Sequence, residues 1–323
     1  MLQRLALVCT LFLFTAFAAG SFAFAQDSDD SAQKAILVTG ASTGIGRDLT
    51  EKLAAEGYFV YAGARKQADL DALNEIPNVQ SVRLDVTRQD EIDAAVQVIR
   101  EGGKGLYGIV NNAGILILGP IAEIPENDLE WIFNVNVMGV YRITKAFAPL
   151  VIESEGRIVN ISSIAGVLSG QYWAPYTMSK HAIEAYTVAL AEEMSLFNVT
   201  VSNVNPGNYR SKIGNDEADQ LAKAPYAQPG SPYAESIAGH IKYMADRSMH
   251  KEPGEVSEAI MDALFSANPK PSYMVTPNEQ EADRAVRRLI TKAAEFNADQ
   301  PYSYSDEELI EMLKEATAAQ RDR

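Results

Sequence analysis

From residue 35 onward the chain alternates between short runs of aliphatic and β-branched residues and longer stretches whose apolar positions recur three and four apart. That alternation marks parallel strands joined by crossover helices. Strands are expected at Ala35 to Thr39, Phe59 to Ala62, Gln80 to Asp85, Gly108 to Asn111, Arg157 to Ile161, Thr200 to Asn203 and Ser272 to Val275. Most of them are apolar at successive positions, so both faces must be covered, as in a parallel sheet. The pattern predicts an α/β fold with a doubly wound parallel sheet of about seven strands, flanked by helices in one domain over 35–290. Residues 208–243 follow the sixth strand's carboxyl end, where such sheets bind ligands, and are read as a lid. Within the lid, Ala224 to Tyr233 is rich in Pro, Gly and Ala. Residues 291–323 are a helical extension. Its end, Ser305 to Arg323, lines up Leu309, Met312, Leu313 and Ala316 on one face and is expected to pack on the domain, with a partner-binding helix as the alternative.

The first 25 residues break this rhythm. Met1 to Arg4 is a basic start, Leu5 to Gly20 is apolar and uncharged, and Ala23-Phe24-Ala25 has the small-x-small form of a cleavage site. Two readings fit: a signal peptide removed on export to the periplasm or secretory pathway, or a membrane anchor over 5–25, long enough to cross a hydrocarbon core of about 30 Å. Residues 26–34, with Asp27, Asp29 and Asp30, form a polar linker.

Charge then narrows the partners. A net charge of −15 argues against nucleic acid, whose phosphates need clustered cations. The one cysteine, Cys9, permits no internal disulfide. His181, His240 and His250 lack the spacing of a zinc site, and no metal is expected.

A phosphate site is suggested where Thr39-Gly40-Ala41-Ser42-Thr43-Gly44-Ile45-Gly46 joins the first strand to a helix over Arg47 to Glu56. Gly40 allows a tight turn, Gly44 lets backbone approach a pyrophosphate, and Gly46 permits close helix packing. The helix start adds unpaired N–H donors. This spacing resembles the classical short-chain dehydrogenase/reductase family. Asn111-Asn112-Ala113-Gly114 at the fourth strand's end, Asp85 in Leu84-Asp85-Val86, and Asn136, Ser163, Tyr176 and Lys180 match further motifs of that family, in order, between Ala35 and Ser211.

The resemblance implies a Rossmann-type fold and a nicotinamide-dependent oxidoreductase that interconverts an alcohol and its ketone or aldehyde. It implies that Gly40, Ser42, Thr43, Gly44, Ile45 and Gly46 meet the cofactor's phosphates and that Asp85 and Val86 meet its adenine. Asn112, Ala113 and Gly114 also face the cofactor, and Pro206-Gly207 with Ser211 close over the nicotinamide. Tyr176 and Lys180, four apart, share one helix face. A free phenol titrates near about 10 and a nearby ammonium lowers it, so Lys180 is expected to tune Tyr176 as the acid/base. By resemblance Lys180 also binds the nicotinamide ribose, Ser163 hydrogen-bonds the substrate oxygen, and Asn136, rather than Asn134, holds a water between Lys180 and solvent. Ser162 is assigned to backbone bonding. His181, about 100° round the helix from Lys180, is assigned to packing.

NADP(H) is favoured over NAD(H), because Gly63-Ala64-Arg65-Lys66 ends the second strand without an acid and Arg65 suits a ribose 2′-phosphate. Thr43 stands where some NADP-preferring relatives are basic. Leu168, Tyr172, Trp173, Tyr209, Ile213 and Tyr226 would line a site for an apolar small molecule such as a steroid, retinoid or long-chain alcohol. Pro269-Lys270-Pro271 before the last strand resembles the hydroxysteroid and retinol dehydrogenase branch. The alternative is a catalytically idle NADP(H)-binding sensor or scaffold, which would have no need of Tyr176 and Lys180. Relatives in the family pair through helices matching Asp128 to Leu150 and Tyr176 to Phe197, as homodimers or homotetramers.

Overall fold

Ala35–Val38, the first strand (β1), is buried at all four residues because helices cover both of its faces. Ile36 and Val38 point into one apolar core and Ala35 and Leu37 into a second, so the period-two alternation of a strand divides four aliphatic residues between two layers. The computed structural model describes residues 33–210, 213–246 and 250–321, with backbone alone over 213–217.

In chain order the elements are β1, α1 (Gly44–Ala55), β2 (Phe59–Ala64), α2 (Gln67–Asn74), β3 (Val79–Arg83), α3 (Gln89–Glu101), β4 (Gly108–Asn111), α4 (Glu126–Asn136) and α5 (Met138–Glu153). They continue with β5 (Arg157–Ile161), α6 (Ala174–Met194), β6 (Thr200–Pro206), α7 (Ile213–Lys223), α8 (Ala234–Ala245), α9 (Gly254–Phe265), β7 (Ser272–Val275), α10 (Glu279–Asn297) and α11 (Asp306–Arg321). The strands form one parallel sheet in the order β3-β2-β1-β4-β5-β6-β7. The order reverses between β1 and β4, and in such sheets the crevice beyond the strands' carboxyl ends at that point binds ligands.

All seven expected strands are present, with ends shifted by one to three residues in β1, β2, β3 and β6. β3 stops at Arg83 because its pairing with β2 ends at Ala64↔Arg83, and Asp85 lies in the turn beyond. β6 runs on to Pro206 because β7 pairs with it as far as Pro206↔Val275.

The first core layer is filled by α1 and α9, with Leu49, Leu53, Val256, Ile260 and Leu264. The second is filled by α3, α5 and α6, with Ile92, Ile99, Ile143, Phe147 and Leu190. The expected packing of the last helix is not found. α11 buries no residue, and Met312 and Leu313 are exposed. α10 buries only Glu281 and Ala285, so the chain has already left the core before α11 begins. The targeting reading of 1–25 lies outside the described residues.

Candidate active site

The glycine turn is built around Thr39, the residue after β1. Its hydroxyl accepts from the backbone N–H groups of Asn112 and Ala113, both at 3.0 Å. The Asn112 amide donates back to the carbonyls of Thr39 at 2.9 Å and Gly40 at 3.2 Å. The Asn-Asn-Ala-Gly segment is thereby fastened to the turn. Gly40 and Gly44 sit at φ of +66° and +56°, the left-handed region. A methyl on Gly46 would lie 2.4 Å from the Gly40 carbonyl oxygen, so only glycine lets α1 start this close to the turn. Thr43 makes no side-chain cap and the first turn of α1 holds no acid. A helix start in that condition suits an anion, and the residues present fit a dinucleotide's phosphates.

Beyond β2, the Arg65 guanidinium lies 3.8 Å from Asp85 and its side chain is 60% exposed. The other Asp85 oxygen accepts from the Thr87 backbone at 2.9 Å and the Thr87 hydroxyl at 2.6 Å. Arg83 donates to the Arg65 carbonyl at 2.6 Å and to Gln67 at 2.8 Å. Sequence reasoning missed this third cation, which belongs with Arg65 and Lys66 only through the β2–β3 register.

β5 delivers Ser163 and α6 delivers Tyr176 and Lys180 to the same place. The Ser163 hydroxyl lies 3.3 Å from the Pro206 carbonyl at the end of β6 and accepts from the Ala165 N–H at 3.1 Å. Lys180 is buried, donates to the Ile161 carbonyl at 2.8 Å and stands 5.6 Å from the Tyr176 ring centroid. Burial pushes the Tyr176 phenol up to about 12, partly offset by a hydrogen bond with Ser163. The expected net lowering of this phenol is not found: desolvation outweighs any lowering by the neighbouring ammonium and decides the direction. Burial also pushes Lys180 down to about 8, against the attraction of Glu184.

Asn136 sits where α4 gives way to α5, with its carbonyl accepting from the Ile115 N–H at 2.8 Å. Its amide donates to the Ile115 carbonyl at 2.9 Å and to Ser179 at 3.0 Å. It therefore ties the segment after Gly114 to α6. Asn134 accepts from Arg142 instead, at 2.8 Å. Ser162 is buried and donates to the Lys180 carbonyl, and His181 meets the Thr177 carbonyl at 2.8 Å. Gly207 donates to Val275 at 2.7 Å, which places Pro206-Gly207 beside Ser163. Ser211 lies outside the described residues.

Behind these groups runs a buried polar ladder that sequence reasoning did not anticipate. Asn111, Asn160 and Asn203 are register partners across β4, β5 and β6. Asn111 donates to Asn160 at 2.8 Å; Asn160 donates to Thr187 at 2.8 Å, and Thr187 to Asn203 at 2.8 Å. Asn203 then donates to Glu184 at 3.1 Å, where Asn205 also donates, at 2.7 Å. The available signal was an asparagine in each of three consecutive buried strands.

α7 and α8 follow β6 and contribute to a third apolar cluster that includes Leu116, Leu118, Tyr172, Tyr226 and Ile237, with Trp173 and Tyr176 packed against it. Tyr209 is not in this lining. It joins the core under α9, and its hydroxyl donates to Glu255 at 2.6 Å. Leu168 is also absent from the cluster, and the Ile213 side chain lies outside what is described.

Residues 34–222 match the family model of the short chain dehydrogenases. The mitochondrial D-beta-hydroxybutyrate dehydrogenase of Bos taurus is 32% identical over 277 residues, covering 79% of this chain and 80% of its own length. Retinol dehydrogenase 16 of Rattus norvegicus is 32% identical over 253 residues, covering 74% of this chain and 80% of its own. A short-chain dehydrogenase structure from Streptomyces avermitilis superposes with a TM-score of 0.68 at 28% identity, covering 81% of this chain and 94% of that one. The chain belongs to the classical short-chain dehydrogenase/reductase family, on its hydroxysteroid and retinol dehydrogenase-like branch, and is an oxidoreductase of alcohols and carbonyls.

Proposed function

We propose that the enzyme prefers NADP(H) and interconverts an apolar primary or secondary alcohol with its aldehyde or ketone, with Tyr176 as acid and base. The reading rests on convergence: Ser163, Tyr176 and Lys180 meet beside Pro206, beyond the strands' carboxyl ends and under an apolar lid.

The cofactor, when bound, supplies or accepts a hydride. In this reading Gly40, Ser42, Thr43, Gly44, Ile45 and Gly46 hold its phosphates, Asp85 and Val86 its adenine, and Arg65 its 2′-phosphate. Asn112, Ala113, Gly114, Pro206, Gly207 and Ser211 line the rest, with Tyr176 and Lys180 on the nicotinamide ribose. During reduction the Tyr176 phenol gives its proton to the substrate oxygen, and during oxidation it takes one back. Ser163 turns its hydroxyl from Pro206, a long bond at 3.3 Å, to the same oxygen, where a donor stabilises developing negative charge. The Lys180 ammonium steadies the phenolate that Tyr176 becomes after donation. Asn136 positions α6 through Ser179.

Tyr176→Phe is expected to lower turnover by about 10³-fold while NADPH affinity stays largely intact, because the phenol acts on the proton and the glycine turn holds the phosphates. Near-normal turnover in this variant would refute the mechanism. Arg65→Ala is expected to weaken NADPH about tenfold more than NADH in fluorescence titration, because a charge-assisted phosphate contact is lost. Equal weakening of both would retire the 2′-phosphate role.

The same proposal keeps 35–290 as the catalytic domain, 26–34 as a linker, 291–323 as a helical extension, and 1–25 as an export signal or anchor. It also pairs copies of the chain through α4, α5 and α6, where Trp131, Met138, Tyr141 and Val188 are exposed.

A further inference from the structure

α8 carries a histidine that the proposed reaction does not use. His240 Nε2 is buried and has no hydrogen-bond partner among the described residues. Its ring stands against Tyr172 at 5.9 Å between centroids, Trp173 at 5.8 Å and Tyr243 at 6.2 Å. Trp173 in turn meets Tyr176 edge-on at 6.0 Å, so a single indole separates the histidine from the proposed proton donor. Around them the cluster is aliphatic and aromatic, with Leu116, Leu118, Ile237 and Met244.

A buried polar atom without a partner costs about 1–3 kcal/mol. Water cannot be assumed to supply the missing bond in an aromatic cage, whereas a ligand oxygen entering the lid can. Burial lowers the imidazole pKa, which leaves a neutral ring able to give or take one hydrogen bond at Nε2. Its ring neighbours among the described residues, Tyr172, Trp173 and Tyr243, are uncharged, which suits an uncharged oxygen. The backbone reports the same site: Tyr172 holds φ of +71°, strained for a bulky residue, and this conformation presents its ring to both His240 and Tyr233.

We infer that His240 hydrogen-bonds a second oxygen of the substrate, remote from the reacting carbon, so that the lid selects alcohols and ketones carrying two oxygens on an apolar, ring-sized frame. This rests on the proposed reaction at Tyr176.

The test uses two rigid ketones that differ by one oxygen: a cyclohexanone carrying a para-hydroxyphenyl group at its far end, and its phenyl counterpart. With NADPH, the wild-type enzyme is expected to reduce the hydroxyphenyl ketone with kcat/KM about tenfold higher, mainly through KM. His240→Phe keeps a ring of similar shape and is expected to erase that preference while leaving the phenyl ketone unchanged. His240→Gln, whose amide can still hydrogen-bond, should retain most of it. Equal turnover of the two ketones by the wild type, or an equal loss on both in His240→Phe, overturns the inference and leaves the reaction standing. Reduction of neither ketone overturns both. A readout free of turnover uses the chain's three histidines: the His240 imidazole nitrogen resonances, assigned with His181→Gln and His250→Gln variants, should shift with the hydroxyphenyl ketone and not with the phenyl one. Identical spectra with both overturn the inference.

Discussion

Lys180 shows how a single residue's setting, rather than its identity, decides its chemistry. Its ammonium is desolvated, which pushes its pKa down to about 8 against the attraction of Glu184. Tyr176, pushed up to about 12, stays a protonated acid well above that pH. Carbonyl reduction is therefore expected to run level through neutral pH and to decline above about pH 8, as the charge that steadies the phenolate disappears. A profile of kcat/KM that stays flat to pH 10 would contradict this. The pairing of Tyr176 with Lys180 was legible in the sequence because four residues on a helix always share a face. The direction of their titration was not, because burial depends on elements far away in the chain. His240 and Arg83 were hidden for the same reason: each gains its meaning from a neighbour that only the tertiary arrangement supplies.

At the scale of elements, strands were easier to read than helix partners. The central strands stand out as apolar runs because a parallel strand buried on both faces leaves little choice of residue, whereas the edge strands β3 and β7 are partly exposed. An amphipathic helix says only that one face is apolar, not what covers it. α11 illustrates the gap, since its apolar residues Ile310, Met312 and Leu313 are all exposed. A chain ending at Tyr304 is expected to keep its stability to within about 0.5 kcal/mol and its cofactor affinity unchanged, because the removed helix buries nothing. A large fall in melting temperature would show that α11 is held by contacts the isolated chain lacks. The segment read as a lid holds α7 and α8, and its expected lining was misjudged at Tyr209. That residue is turned to the sheet by Glu255 on α9, a partner forty-odd positions away that no local pattern announces.

For the whole molecule, pairing through α4, α5 and α6 has a direct test. The exposed face holds Met138 at 43% and Tyr141 at 42% exposure, beside Trp131. Tyr141→Glu is expected to halve the mass seen by light scattering, because a charge would be buried at the proposed contact. An unchanged mass, or a wild-type monomer, would place the interface elsewhere or remove it. The asparagine ladder has a consequence of another kind. The sequences Gly108-Ile109-Val110-Asn111 and Arg157-Ile158-Val159-Asn160 are nearly interchangeable in hydrophobicity, so grease alone would let such strands slide past one another. A slip by one residue would turn each amide to the opposite face and strand it without a partner, at about 1–3 kcal/mol apiece. Asn111, Asn160 and Asn203 thus act as index marks, admitting a single alignment among near-identical rails and fixing the height at which Ser163 leaves its strand.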